Sequence, residues 1–227
     1  MTNVADVTSP VRPDPHARPR MRGWLHVYAF GVAVVCGIVL CSVAADRARS
    51  TALFACVLYS VTVCGIFGVS ALYHRRIWDP RRYLLMKRLD HSMIFVFIAG
   101  TYTPFCVLLL GASQARTLLA VVWTGALAGV ALKMCWPRAP RWLSVSLYLA
   151  LGWIAVFVLP EILQQGNVAV VALLAAGGAA YSIGALFYAF KWPDPWPLTF
   201  GHHELFHAAT IAAASCHHVA VYFALSA

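Results

Sequence analysis

Apolar residues form seven long stretches along the chain, separated by short polar segments. Each stretch is near the roughly 20 residues with which a helix crosses a membrane, and each is continuously apolar rather than alternating, which favours helices over barrel strands. Because the connections are short, consecutive helices are expected to be antiparallel neighbours. The pattern predicts an all-α integral membrane protein with seven transmembrane helices, at roughly 24–45, 52–73, 91–110, 117–136, 143–160, 168–190 and 203–225.

The basic residues are distributed unevenly between the two sides of this predicted bundle. The N-terminal tail and the second, fourth and sixth connections, with the helix ends beside them, hold all of the 17 Lys and Arg residues except Arg47, Arg49 and Arg116. Basic residues concentrate on the cytoplasmic side of membrane proteins, so the N-terminus is predicted to be cytoplasmic and the C-terminus outside.

Composition agrees with this assignment, since 61% of the 227 residues are hydrophobic and only 11% are charged. The net charge of +9 is explained by topology and by contact with anionic lipid, so no nucleic acid partner is expected. Residues 1–22, which are rich in Pro and Arg, are predicted to be a disordered basic tail, and residues 23–227 the membrane domain. The expected partners are membrane lipids, and the sequence does not indicate an oligomeric state.

Four side chains that suit metal or acid–base chemistry share one membrane level in this topology. His74 ends the second stretch, Asp90 precedes the third, and His203 and His207 open the last. The spacing of His203 and His207 places both on one helix face, and Ser70 precedes His74 by the same spacing. The string HELFH also matches the HExxH motif of zinc proteases, but it opens a membrane span here, so a protease is not predicted.

Three imidazoles with an open fourth position are typical of a catalytic zinc site. We therefore predict that His74, His203 and His207 bind Zn²⁺, that Asp90 holds a water or accepts its proton, and that Ser70 supports the site. Simpler interpretations stay open. The histidines could be ordinary interfacial residues, Asp90 could pair with Lys87 or Arg88, and Ser70 could only pack between helices.

Several neighbouring polar residues are interpreted more simply. His91 and His202 are predicted to be interfacial, although His202 leaves the register of the histidine pair ambiguous by one residue. The spacing back from His207 favours His203. Glu204 points about 100° away from His203 and is predicted to cap the start of the last helix.

Four stretches resemble the hemolysin III branch of the PAQR (progestin and adipoQ receptor) family: SALYH at 70–74, LDHSMIFVFIAGTYTPF at 89–105, GGAAYSIGALFYAFKWP at 177–193 and FGHHELFH at 200–207. The resemblance implies a seven-helix bundle with a cytoplasmic N-terminus and a zinc ion on three histidines. On the matching motifs, it implies functional roles for Ser70, His74, Asp90, His203 and His207. The wider superfamily includes alkaline ceramidases, which implies hydrolysis of a lipid amide or ester.

Three functional hypotheses follow from these observations. The first is a zinc-dependent lipid hydrolase that contributes to membrane homeostasis, in the inner membrane of a bacterium. The second is a membrane sensor or receptor in which zinc is purely structural. The third is a pore-forming cytolysin, which the branch name suggests although no stretch of the sequence resembles a pore lining.

Overall fold

A computed structural model describes residues 19–47 and 50–227. Within these ranges the chain forms eight α-helices and one short 3₁₀ helix and contains no strand. The helices are α1 (Trp24–Asp46), α2 (Ser50–Arg75), α3 (Pro80–Leu109), α4 (Ala112–Cys135), α5 (Arg141–Trp153), α6 (Leu159–Gln165), α7 (Val168–Phe190) and α8 (His202–Ser226), with the 3₁₀ helix at Ile154–Val158. The protein is thus all-helical.

Seven segments are long and apolar enough to span a membrane, which confirms the predicted number. The fifth span, Arg141–Gln165, consists of α5, the 3₁₀ helix and α6 together. The chain is therefore an integral, multi-pass membrane protein. Which side of the membrane holds the N-terminus stays a prediction from the charge distribution.

The third helix begins well before its apolar part, at Pro80 rather than near residue 91. Asp79 caps it, because its carboxylate accepts hydrogen bonds from the backbone N–H groups of Arg81 (3.1 Å) and Arg82 (3.0 Å). Pro80 suits the first helical position, where an N–H group would lack a partner. These first turns carry exposed basic side chains, so hydrophobicity alone located the membrane core and missed the start of the helix.

The helix of the fifth span is interrupted, and a tyrosine from α3 forms hydrogen bonds with the backbone groups at the break. The Tyr102 hydroxyl lies 2.7 Å from the carbonyl of Gly152 and 3.1 Å from that of Leu151, and it accepts a hydrogen bond of 2.7 Å from the Ala155 N–H. Non-helical backbone at membrane depth needs such partners, because no water is available there. The sequence predicted the fifth span at 143–160. The structure extends it to Arg141–Gln165 and divides it by the 3₁₀ segment, which Pro160 closely follows.

Most of the predicted disordered tail, residues 1–18, lies outside the described residues. Residues 19–23 form a turn that docks on the loop joining α7 to α8. The N–H of Arg20 donates to the carbonyl of Leu198 (3.0 Å), and that of Met21 to the carbonyl of Thr199 (3.1 Å). We call residues 19–23 and 191–201 the cap. It lies at the end of the bundle where α1, α3 and α8 begin and α2 ends, here named the site end.

Substitution of Asp79 by Ala should destabilise the start of α3, because two backbone N–H groups lose their acceptor. The expected loss is about 1 kcal/mol in the free energy of unfolding. Asp79→Ser keeps a capping oxygen and should stay close to the wild type. Unfolding in detergent, followed by circular dichroism, measures both variants. Equal stability of wild type and Asp79→Ala would show that the Asp79 side chain does not stabilise the start of α3.

Candidate metal centre

Three histidines from two helices converge at the site end of the bundle. His74 lies in the last turn of α2, and His203 and His207 lie in the first two turns of α8. One ring nitrogen from each lies within 4.8 Å of those from the other two. The Nε2 atoms of His74 and His203 are 3.2 Å apart. The structure thus brings together the three residues that the sequence grouped.

The ring arrangement follows from helix geometry. His203 and His207 are one turn apart on one face of α8, with ring centroids separated by 4.5 Å. His74 approaches both from α2, with its centroid 4.8 Å from that of His203 and 5.2 Å from that of His207. His207 is buried, whereas the other two are half-buried and nearer the cap.

The cluster fits a zinc ion by distance and by donor chemistry. Two nitrogens bound tetrahedrally to zinc lie about 3.4 Å apart, close to the separation of the two Nε2 atoms. Nδ1 of His207 is buried and has no hydrogen-bond partner among the described residues. Imidazole is a ligand that zinc favours, and a polar atom left alone in an apolar bundle is costly. These side chains would therefore hold a metal ion with little rearrangement.

Asp90 and Ser70 are neighbours of each other at the site end of the bundle. The Ser70 hydroxyl lies close enough to the Asp90 carboxylate to stabilise its charged form. Ser70 is buried on the face of α2 that carries His74 one turn later. Asp90 also lies 3.8 Å from Nδ1 of His91. The interpretation of Asp90 as the ion-pair partner of Lys87 or Arg88 does not match the structure, because neither side chain pairs with it.

His202 lies outside the cluster, which resolves the register of the histidine pair. Its backbone N–H donates to the Asp194 carboxylate (2.9 Å), and its Nδ1 lies 3.3 Å from the same oxygen. The adjacent Glu204 caps α8 as predicted, since Oε2 accepts a hydrogen bond from the Gly201 N–H (2.9 Å). Its other oxygen accepts a 2.5 Å hydrogen bond from Nε of Arg22. This pairing ties the cap to α8 beside the histidines.

Two residues that shape the site, His26 and Gly23, were not predicted from the sequence. The ring of His26 is buried and stacks on that of His207, with centroids 3.8 Å apart and an interplanar angle of 11°. Gly23 has a φ of +81°, and a Cβ placed on it would lie 2.7 Å from Cβ of His74. Only glycine adopts this conformation readily and leaves room for His74. His26 could have been predicted, because its position near the start of the first span puts it at the membrane level of the other histidines.

A mainly apolar cavity of about 200 Å³ lies between α3, the fifth span, α7 and α8. Phe206 and Thr210 of α8, which flank His207 in sequence, line it together with apolar residues such as Phe97, Ile98 and Leu159. A cavity of this composition suits a hydrocarbon chain better than a polar solute.

Seven spanning helices and a three-histidine cluster at one end define the class: a heptahelical membrane protein with a candidate metal centre. Residues 16–218 match the family described as Haemolysin-III related, and the chain belongs to that family. This confirms the resemblance to the hemolysin III branch of the PAQR family.

Individual relatives agree with this assignment. The chain is 33% identical to Hemolysin-3 of Bacillus cereus over 154 residues, which cover 68% of this chain and 70% of that protein. It is 31% identical to the Hemolysin-3 homolog of Bacillus subtilis strain 168 over 73% of this chain and 75% of the relative. It is also 31% identical to the heptahelical transmembrane protein ADIPOR2 of Oryza sativa subsp. japonica, over 68% and 74% of the two chains.

Replacing His203 by Ala should abolish stoichiometric zinc in the purified protein, because one ligand of the cluster is lost. His202→Ala removes the adjacent histidine, which contacts Asp194 instead, and should leave the zinc content unchanged. Metal analysis by mass spectrometry after removal of free metal measures both. A loss of zinc in His202→Ala but not in His203→Ala would mean that the metal uses the other register.

Gly23→Ala should weaken metal binding and stability, because the new methyl group meets His74 and the backbone must leave a left-handed conformation. The expected cost is about 1–2 kcal/mol in the free energy of unfolding. Gly31→Ala is the matched control, since a Cβ at Gly31 meets nothing within 4 Å. Thermal unfolding and zinc retention during dialysis against a chelator measure both effects. Similar behaviour of the two variants would show that Gly23 does not position His74.

Proposed function

We propose that this protein is a membrane-embedded hydrolase that uses zinc to cleave an amide or ester bond in a lipid. The observation that carries the proposal is the convergence of His74, His203 and His207. Ser70, one turn before His74, and its neighbour Asp90 add a hydroxyl group and a carboxylate at the same end of the bundle. Purely structural histidines would not need a carboxylate next to Ser70 at the same end of the bundle. Such a carboxylate is a component of hydrolytic zinc sites, where it acts on water.

The three imidazoles would hold zinc and leave one position open toward substrate. When bound, zinc polarises a carbonyl oxygen and makes a water acidic enough to act as a nucleophile near neutral pH. The stacking of His26 on His207 and the packing of Gly23 against His74 fix two of the rings. Such fixed ligands keep the geometry constant while a substrate enters and leaves.

Asp90 would accept a proton from the attacking water as the water adds to the carbonyl carbon. It would then return this proton to the amine or alkoxide that leaves when the C–N or C–O bond breaks. The neighbouring Ser70 hydroxyl would orient the carboxylate for both steps. Ser70 is therefore a positioning residue, and Asp90 is the general acid and base.

The apolar cavity supports a lipid as the substrate. An acyl chain in this cavity would bring a carbonyl group near Phe206 and His207, at the level where the polar cluster begins. We further propose that the site end faces the cytoplasm, as the basic residues predict, and that the protein resides in the inner membrane of a bacterium. The bacterial origin is supported by the two Bacillus relatives.

The names of the Bacillus relatives describe haemolysis, so a pore-forming cytolysin is an alternative to test. A zinc-stabilised sensor without turnover is the other alternative, since the cluster ties α2 to α8. The two alternatives differ from the hydrolase in what they require. A sensor needs zinc but no base, and a pore needs neither.

Asp90→Asn should lower the rate of lipid hydrolysis by about 10²–10⁴-fold and leave zinc bound, because a proton acceptor is lost but no ligand is. Ser70→Ala should lower it less. Asp194→Asn, which removes a carboxylate at the same end of the bundle, is the matched control. The measurement is release of fatty acid from a panel of lipid amides and esters in mixed micelles, beside zinc analysis.

Each alternative predicts a different result in the same preparations. Zinc-loaded wild type that cleaves no member of a broad lipid panel would favour the sensor. Conductance in pure lipid bilayers that survives replacement of all three histidines would favour the pore. Loss of zinc in Asp90→Asn would assign the carboxylate a structural role and remove it as the base.

A further inference from the structure

A second cavity, of about 400 Å³, lies at the site end of the bundle between α3, the loop joining α4 to α5, and α7. Five basic side chains line it and no carboxylate does: Lys87, Arg88, Lys133, Arg138 and Arg141. Among the residues that the structure describes, none of the five forms an ion pair. We call this cavity the basic pocket. Like charges so close together repel each other unless an anion lies between them.

Two of the basic side chains have N–H donors that lack hydrogen-bond partners among the described residues. Lys133 is only 6% exposed, and among the described residues its ammonium group donates a hydrogen bond to the Ser144 hydroxyl alone. An ammonium group has three N–H donors, so two are left for a ligand. Nε of Arg88 is also buried and has no hydrogen-bond partner in the described part of the chain. Polar donors without partners in such surroundings are costly, so an anion bound in the pocket would stabilise both side chains.

The chemistry of the lining favours a phosphate group among possible anions. One arginine guanidinium can donate two parallel hydrogen bonds to two phosphate oxygens, and a lysine ammonium adds a compact positive charge. Ser144 and the Tyr188 hydroxyl supply further polar atoms at the wall. The start of α5, at Pro140 and Arg141, also lines the cavity, and this helix begins without a side-chain cap. The partial positive charge of a helix N-terminus adds to the attraction for an anion.

The position of the pocket indicates that the phosphate belongs to a lipid. Trp136 and Trp142 flank the loop that lines it and are 49% and 68% exposed. Exposed tryptophans at helix ends lie at the level of lipid headgroups, and basic pockets at this level hold anionic ones. We propose that the basic pocket binds the phosphate group of an anionic phospholipid headgroup.

The basic pocket adjoins the histidine cluster through Tyr188. Its hydroxyl lies 3.3 Å from Nε2 of His91, and its ring centroid lies 6.0 Å from that of His203. The Arg141 guanidinium lies 5.1 Å from the centre of the same ring. A bound headgroup would thus be one side chain away from the candidate metal centre. The binding inference does not depend on hydrolysis at that centre.

The test is lipid retention by the full-length protein in detergent, measured by native mass spectrometry. Wild type is mixed with equal amounts of phosphatidylglycerol and phosphatidylcholine and should retain the anionic lipid. The double variant Arg138→Gln/Arg141→Gln should retain at least about tenfold less, since each basic side chain near an anionic headgroup contributes about fivefold. Lys133→Gln should reduce retention as well. If Lys133→Gln does not fold, the double variant, whose substitutions lie at exposed positions, tests the proposal by itself.

The matched control is Arg76→Gln/Arg81→Gln, which removes the same charge from exposed positions at the same end of the bundle, outside the pocket. It should retain the anionic lipid to within about twofold of wild type, because contributions of surface charge away from the pocket are screened. Equal losses in the two double variants, or no preference of wild type for phosphatidylglycerol, would overturn the proposal. Millimolar inorganic phosphate that displaces the lipid and binds by itself, with the same sensitivity to Arg138 and Arg141, would assign the pocket to soluble phosphate instead.

Discussion

The contact between the end of α2 and the start of α8 places three imidazole rings in a partly buried space. The neighbouring helix ends and the cap pack around this contact. Polar groups in an apolar bundle are stable only when they have partners. His74 and His203 lie close to each other, whereas Nδ1 of His207 has no partner among the described residues. A shared metal ion would satisfy all three rings at once. The same ion would connect the second and last spans, which are far apart in the sequence.

The cap makes this arrangement possible at the surface of the bundle. The ion pair of Arg22 with the buried Glu204 fixes the segment before α1 to the first turn of α8, and Gly23 lets that segment pass close to His74. Glu204 serves two functions, because one oxygen caps the helix and the other holds the arginine. The histidine cluster, the Ser70–Asp90 pair and the basic pocket all lie at this end. The candidate functional groups therefore lie at one end of the bundle.

Much of this arrangement could be predicted from local patterns in the sequence. Hydrophobicity alone gives the seven spans, and helix periodicity puts His203 and His207 on one face. Long-range features could not be predicted in this way. No local pattern pairs Arg22 with a residue 182 positions away, stacks His26 on His207, or shows that Tyr102 satisfies the break in the fifth span. The start of α3 was missed because its first turns are polar. The N-cap residue Asp79 is a local signal for this start, but a hydrophobicity pattern does not detect it.

The most direct test of the central claim is X-ray absorption spectroscopy at the zinc edge of the purified full-length protein. We expect zinc with three imidazole nitrogens at about 2.0–2.1 Å and one further light ligand. The chain also contains seven cysteines, so a different zinc site is chemically possible. A shell of sulfur at about 2.3 Å, or well-folded protein that binds no zinc, would contradict the three-histidine centre.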